Sequence, residues 1–214
     1  MKRWLRLSST PTTPLPRELA SDDIRYSEEL VQVFVDQYTT TGDLVVDPFA
    51  GFGTTLRVAA RAGRRAIGLE VLPERVSFIR QDLPAGATVH AADARAIGSL
   101  ALENVKLVMT SPPYMTRNDH PQNPLTGYQS TDADYDRYLD ELSGVFAQLR
   151  NALVTDGIVV INVANIRHGE VTTPLAWDVQ RAVGEILTFD HELVVLHDEL
   201  PAWVTQEYCL VFRR

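Results

Sequence analysis

Cysteine is nearly missing from these 214 residues, with Cys209 standing alone. One cysteine excludes an internal disulfide and any cysteine-cluster metal site. It lies in the apolar run Tyr208 to Phe212, where a buried, inert thiol is expected and not a nucleophile. Five histidines, at positions 90, 120, 168, 191 and 197, show no metal-ligand spacing, so metal chemistry finds no support. No apolar run approaches the ~20 residues needed to cross a bilayer, and no apolar signal core follows the basic start at Lys2, Arg3 and Arg6. The expectation is a cytoplasmic protein without membrane association. Basic charge is also scarce, since 20 Lys and Arg against 28 Asp and Glu give a formal net charge of -8. A protein that holds nucleic acid chiefly through phosphates carries a basic surface, so this balance disfavours tight, stand-alone binding of that kind.

What is present suits a globular chain: 45% hydrophobic and 22% charged residues, in a length expected for one domain over 1–214. Residues 1 to 21, with Pro11, Pro14 and Pro16 among Ser and Thr, read as an extended arm. Leu30, Val31, Phe34, Val35 and Tyr38 then recur at helical spacing behind the capping candidates Asp23 and Ser27. Strand and helix signals alternate from there. Strands are expected at Leu44 to Val46, Ala66 to Leu69, around Val89, at Val105 to Met109 and at Ile158 to Val163; helices at Thr54 to Arg61, Pro73 to Asp82, Tyr135 to Leu153 and Thr173 to Leu187. Leu193 to Leu196 and Tyr208 to Phe212 have only the Pro201 to Thr205 loop between them and should pair as an antiparallel hairpin. This order predicts an α/β fold with a mostly parallel sheet covered by helices on both faces.

Two junctions carry chemistry. After the first of these strands comes Asp47-Pro48-Phe49-Ala50-Gly51-Phe52-Gly53-Thr54-Thr55, leading into a helix. Glycines here permit a tight turn and close approach of a ligand, while the helix start offers unpaired N–H groups. The full dinucleotide fingerprint is absent, because Leu56 stands where a third glycine would be, and no phosphate-binding lysine follows. Gly-x-Gly alone is weak and also fits an ordinary strand-to-helix turn. Glu70 at the end of the next strand suits ribose hydroxyls, and Asp93 after the third suits an adenine amino group, although each alone also reads as a loop acid or cap. Three acids at successive strand ends describe a site for an adenosine-bearing cofactor. Asp47 could also balance an amino-acid ammonium, and S-adenosylmethionine has both parts.

The second junction is Thr110-Ser111-Pro112-Pro113-Tyr114, where an apolar strand stops at two prolines that cannot continue a ladder. An exocyclic amine is a poor nucleophile, because its lone pair is delocalised into the ring. Acceptors on its two N–H bonds favour a pyramidal nitrogen and receive its surplus charge. Ser111 Oγ and the Pro112 carbonyl are the candidate acceptors, the prolines fix the backbone, and Tyr114 offers a face for an extruded base.

Asp47-Pro48-Phe49-x-Gly-x-Gly-Thr-Thr together with Ser111-Pro112-Pro113-Tyr114 resembles the S-adenosylmethionine-dependent DNA amino-methyltransferases, which modify N4 of cytosine or N6 of adenine. The segment holding Tyr26 and Ser27 resembles the family segment before the glycine loop, and Glu207 to Phe212 its last strand. The resemblance implies a Rossmann-like class I methyltransferase fold with a seven-stranded sheet ending in an antiparallel hairpin. It implies catalytic roles for Ser111, Pro112, Pro113 and Tyr114. It implies cofactor contacts from Tyr26, Asp47, Pro48, Phe49, Ala50, Gly51, Gly53, Thr54, Thr55, Glu70, Val71, Asp93 and Ala94.

The cofactor motif precedes the catalytic one here, the reverse of many Ser-Pro-Pro-Tyr enzymes, and no separate target-recognition domain of the size usual in the family is expected within 1–214. Substrate contact falls to Met115 to Asp134, with Arg117, Asn118, Gln122, Asn123 and Tyr128 as candidates. Arg57, Arg61, Arg64 and Arg65 form a basic group that reads first as a solvated helix face. DNA is favoured over RNA as the partner. A specificity-providing partner chain or a homodimer, a tRNA-type base amine, and a non-catalytic subunit with this fold stay open.

Overall fold

The computed structural model describes residues 4–7, 13–17, 19, 25–117, 122–131, 134–197 and 201–214. Asp23, Lys2, Arg3 and Asn118 lie outside these.

In chain order the elements are β1 (Trp4–Arg6), α1 (Glu28–Tyr38), β2 (Leu44–Asp47), α2 (Thr54–Arg61), β3 (Arg65–Glu70), α3 (Pro73–Gln81), β4 (Ala87–Ala91), β5 (Val105–Thr110), α4 (Tyr135–Ala152), β6 (Leu153–His168), β7 (Val171–Thr173), α5 (Leu175–Gly184), β8 (Thr188–Leu196) and β9 (Val204–Arg213). Among the described residues the strands make one nine-stranded sheet in the order β1-β8-β9-β6-β5-β2-β3-β4, with β7 paired to β6. Pairing is parallel from β4 through β6, and β9 runs antiparallel between β6 and β8. The expected mostly parallel sheet and closing hairpin are borne out.

The apolar strands bury both faces. On one face α4 and α5 contribute Tyr138, Phe146, Leu149 and Val179 to a cluster with Val108, Ile161 and Phe212. On the other, α1 and α2 contribute Phe34, Val35 and Leu56 to a cluster with Val45, Leu107 and Val211. Strands buried on both sides read as continuous apolar runs, which is why β2 and β5 stood out in sequence.

Three differences from expectation have local causes. Within the expected N-terminal arm, Trp4–Arg6 adds a parallel edge strand to β8, which with β7 takes the expected seven strands to nine, and Leu7 is buried. The strand at Ile158 to Val163 grows into the 16-residue β6, because Ala164 to His168, which carry no apolar pattern, are held by ladders to β9 and β7. The helix expected from Thr173 starts at Leu175. Pro174 is its N-cap and biases Thr173 toward extended backbone, so Thr173 ends β7 instead.

The order places β2 and β5 side by side where the chain direction across the sheet reverses, with Val46 in register with Val108. Open α/β sheets bind ligands in the crevice at the carboxyl ends of such a pair. The two chemical junctions of the sequence follow these two strands.

Candidate active site

Asp47 ends β2 and is 1% exposed. Its Oδ1 accepts the Thr110 hydroxyl at 2.6 Å and the Phe49 N–H at 3.1 Å, while Oδ2 accepts the Tyr26 hydroxyl at 3.1 Å. Tyr26 also makes a short hydrogen bond with the Thr55 hydroxyl, and Thr55 in turn donates to the Met109 carbonyl at 3.3 Å. One carboxylate thus ties the ends of β2 and β5, the glycine turn and the segment before α1. Burial holds the Asp47 carboxyl above its ordinary range, against the lowering effect of these hydrogen bonds.

The turn itself is built on two left-handed glycines. Gly51 has φ +55°, and a Cβ there would meet only the Phe49 carbonyl at 3.9 Å, so the space beside it is open. Gly53, the N-cap of α2, has φ +82°, and a Cβ would press on Ile79 and Arg57 at 3.0 Å. The missing third glycine has a substitute in β3. A Cβ on Gly68 would lie 2.8 Å from Leu56 Cδ1 and 2.9 Å from Ala50. The close helix-to-strand approach is therefore made by a glycine on the strand, which leaves Leu56 free to fill the gap.

Glu70 faces the same crevice. Its Oε2 accepts the Gly51 N–H at 2.8 Å and its Oε1 the Leu72 N–H at 2.9 Å. Each oxygen keeps a lone pair, which suits a diol. Burial raises its pKa too, with Asp47 adding to the rise.

A single cavity joins the two junctions. Tyr26, Pro48, Phe49, Ala50, Gly51, Thr54, Glu70, Val71 and Ala94 line it from one side. Ser111, Pro112, Pro113 and Tyr114 line it from the other, and Leu125 and Tyr128 close its mouth. These candidates are brought together. Asp47, Gly53 and Thr55 stand behind the wall, where they hold the lining residues in place.

Asp93 departs from expectation. Both its oxygens are taken by the Arg95 guanidinium, the closest contact being 2.6 Å, and Oδ1 also caps the 3-10 turn Ala94–Leu100 through the Arg95 N–H. Arg95 reaches on to Glu141 at 2.8 Å. An acid two residues before an arginine finds its counterion locally, and that pairing removes it from the cavity. Ala92 and Leu72, which carry no polar signal in sequence, line the cavity instead.

On the substrate side, Tyr114 is partly buried and meets Trp203 edge to face, with ring centroids 6.2 Å apart. Burial holds its hydroxyl well above the ordinary tyrosine range, with the charge of Glu207 adding to the rise. The Pro113 carbonyl is fixed by the Tyr138 hydroxyl at 2.9 Å.

Arg117 is committed elsewhere, with contacts to Asp178 at 2.7 and 2.9 Å and the Tyr135 ring under its guanidinium. Asp178 is buried in α5, so Arg117 pins the loop after the motif to that helix. Nor is the basic group around α2 a uniform solvated face. Arg57 is 3% exposed, bonds the Phe52 carbonyl and lies over the Phe78 ring, while Arg64 is held by the Thr39 hydroxyl and carbonyl at 2.9 Å. Cys209 is buried as expected, and burial raises its pKa.

Residues 12–81 match the N6_N4_Mtase family model, described as DNA methylase. The chain is similar to the type II methyltransferase M.MthZI of Methanothermobacter thermautotrophicus, 36% identical over 74 residues, which are 32% of this chain and 21% of that protein. It is also similar to M2.DpnII of Streptococcus pneumoniae, 41% identical over 58 residues, 27% of this chain and 22% of the relative. The match thus spans about a fifth of the length of these curated relatives. In structure it is similar to a TehB-like SAM-dependent methyltransferase from Corynebacterium glutamicum, with a TM-score of 0.59 at 16% identity over 92% of this chain and 93% of that one. Magnesium protoporphyrin IX methyltransferase from Synechocystis, solved with bound SAM, gives 0.54 at 14% identity over 87% and 79%. The fold is that of the class I methyltransferases, and the family match covers the glycine turn while ending before Ser111 to Tyr114.

Proposed function

We propose that this chain, similar to the DNA methylases over residues 12–81, transfers a methyl group from S-adenosylmethionine to the exocyclic amine of a nucleic-acid base, cytosine N4 or adenine N6. The observation that carries the reading is one cavity shared by the Gly51 and Glu70 cradle and by the Ser111 to Tyr114 segment.

The cradle fits the cofactor. Gly51 leaves open backbone space, Glu70 offers two oxygens with lone pairs to spare, and Val71, Leu72 and Ala92 give apolar walls for a ring. When bound, the cofactor supplies an electrophilic methyl group. Phe49, Gly51 and Glu70 would hold it, and the Asp47 hydrogen bonds keep that turn in register with the end of β5. Ser111 Oγ and the Pro112 carbonyl would accept the two amine N–H bonds. The Pro112 carbonyl carries no donor, and the Ser111 hydroxyl can rotate its proton away from the amine. Both stay neutral, and the proton of the newly methylated, cationic nitrogen passes to solvent after the transfer. Catalysis then rests on positioning and on dipoles aimed at the nitrogen. DNA is the favoured polymer, given the family match.

The test is incubation with labelled cofactor and mixed DNA or RNA, followed by digestion to nucleosides. The expected product is N4-methylcytosine or N6-methyladenine from DNA. No methylated base above a Pro112→Ala control would overturn the reading, and a methylated amine from RNA alone would move it to the tRNA-type alternative.

A further inference from the structure

Five large apolar residues stand exposed among the described residues: Trp4, Tyr128, Val171, Trp177 and Trp203. Trp4 sits on the edge strand β1, whereas the other four follow the carboxyl ends of β5 and β6 or precede the strand paired there. Two of the four flank the candidate catalytic tyrosine. Trp203, 38% exposed, sets its ring against Tyr114, and Tyr128, 39% exposed, directs its hydroxyl to the Tyr114 carbonyl at 3.4 Å.

Both are held in place by backbone. Tyr128 follows Gly127 in the left-handed region, with φ +63°, and its N–H is fixed by the Asn123 carbonyl at 3.1 Å. A tyrosine held there is strained, and the surrounding hydrogen bonds maintain it. The Trp203 carbonyl takes the N–H of Arg167 at 2.7 Å, which ties its backbone to the end of β6. Burial does not account for these rings, since each leaves over a third of its surface in water beside Tyr114.

We propose that Trp203 and Tyr128 form a stacking collar for the unpaired nucleotides on either side of the target base, so that this chain takes its substrate as a single strand. The inference rests on the function proposed above and names the state of its substrate. Stacking on aromatic faces is tolerant of sequence and needs little phosphate contact. That suits a chain with a net charge of -8, whose Arg57, Arg64, Arg95 and Arg117 are engaged within the fold. With Trp203 38% exposed and set nearly perpendicular to Tyr114, a neighbouring base can stack on its exposed surface while the target base enters beside Tyr114.

The test is binding of unpaired oligonucleotides of about 12 residues, in DNA and RNA arms, against the same DNA sequence as a duplex, read by anisotropy with the Ser111→Ala protein. The single strand should bind more tightly than the duplex, with quenching of tryptophan emission. Trp203→Ala and Tyr128→Ala should each weaken single-strand binding about 10-fold or more, Trp203→Phe should restore most of the loss, and cofactor affinity by calorimetry should stay unchanged in all three. Equal binding of duplex and single strand, or alanine variants that bind like the parent, would overturn the collar. A loss of cofactor affinity in both alanine variants would do so as well, since the rings would then be supporting the cavity. Tighter binding in one arm identifies the polymer. Binding is read without turnover, so the collar can stand if methylation is absent, and methylation can stand if the collar fails.

Discussion

The two sides of the cavity are built on opposite plans. On the cofactor side, Asp47, Thr55 and Glu70 are at most 6% exposed, their hydrogen bonds are made inside the protein, and the glycine turn is clamped between β2, β3 and α2. On the substrate side, Tyr128 and Trp203 stand in water, and the loop after the motif is pinned by one ion pair to α5. A ligand common to every turnover can be met by a rigid, satisfied cradle. A base that must leave its strand needs a surface that is accessible before it binds and apolar enough to hold it once there.

The sharpest way to break this comparison is to separate chemistry from binding. Ser111→Ala removes one of two neutral acceptors and leaves the cradle untouched. Methyl transfer should fall about 100-fold, with cofactor affinity unchanged by calorimetry. If affinity falls with the rate, the two sides are not independent.

Asp47→Ala attacks the clamp. It strips the Thr110 hydroxyl, the Phe49 N–H and the Tyr26 hydroxyl of a common partner inside the protein. Leaving such groups unsatisfied costs about 1–3 kcal/mol each, and relief of a buried charge offsets part of it. A net loss of about 3 kcal/mol in urea unfolding is expected, with cofactor affinity weakened as well. Wild-type affinity in this variant would refute the view that Asp47 shapes the cradle.

Two glycines should then part company. Gly68→Ala forces a Cβ to within 3.0 Å of Leu56 and Ala50 in a buried strand, and should cost about 2 kcal/mol of stability. Gly51→Ala meets no neighbour closer than 3.9 Å. Its left-handed φ costs about 1 kcal/mol, and its main effect should fall on cofactor binding. Equal effects on stability and binding in both variants would erase the distinction between a packing glycine and a cradle glycine.

How much of this was readable in advance divides along the same line. Asp47 to Thr55 is one local turn between an apolar strand and a helix, and its residue types are dictated by backbone conformation, so the motif announces itself. Ser111 to Tyr114 is legible for the same reason. Gly68 was not, because its role depends on meeting Leu56, twelve positions earlier, and no single-strand pattern carries that contact. The pairing of Asp93 with Arg95 was not readable either, because spacing along the chain could not reveal that Arg95 turns back onto it. Trp203 lies 89 positions from Tyr114 and reaches it only because β9 pairs with a β6 whose last residues carry no strand signal. Arg117 looked like a substrate contact because its buried partner, Asp178, sits on an otherwise amphipathic helix.

The smallest effect tests why the clamp is a carboxylate at all. Burial raises the Asp47 pKa in the fold, so the folded protein binds that proton more tightly than the unfolded chain does. The stability this contributes is present in full below the unfolded pKa of about 4 and is lost as pH rises through the higher folded value. Asp47→Asn keeps the shape and an acceptor oxygen for Thr110 and Phe49 while removing the titration. Glu70 shifts in the same direction, chiefly through burial with a smaller push from Asp47, so the asparagine variant should flatten the Asp47 contribution and leave most of that of Glu70. In urea unfolding at steps between pH 4 and pH 7, wild type should therefore lose stability relative to the variant as pH rises. A difference that stays constant with pH would mean that the three hydrogen bonds compensate the buried charge completely. The carboxylate would then hold the two strand ends together without the cost in stability that its burial implies.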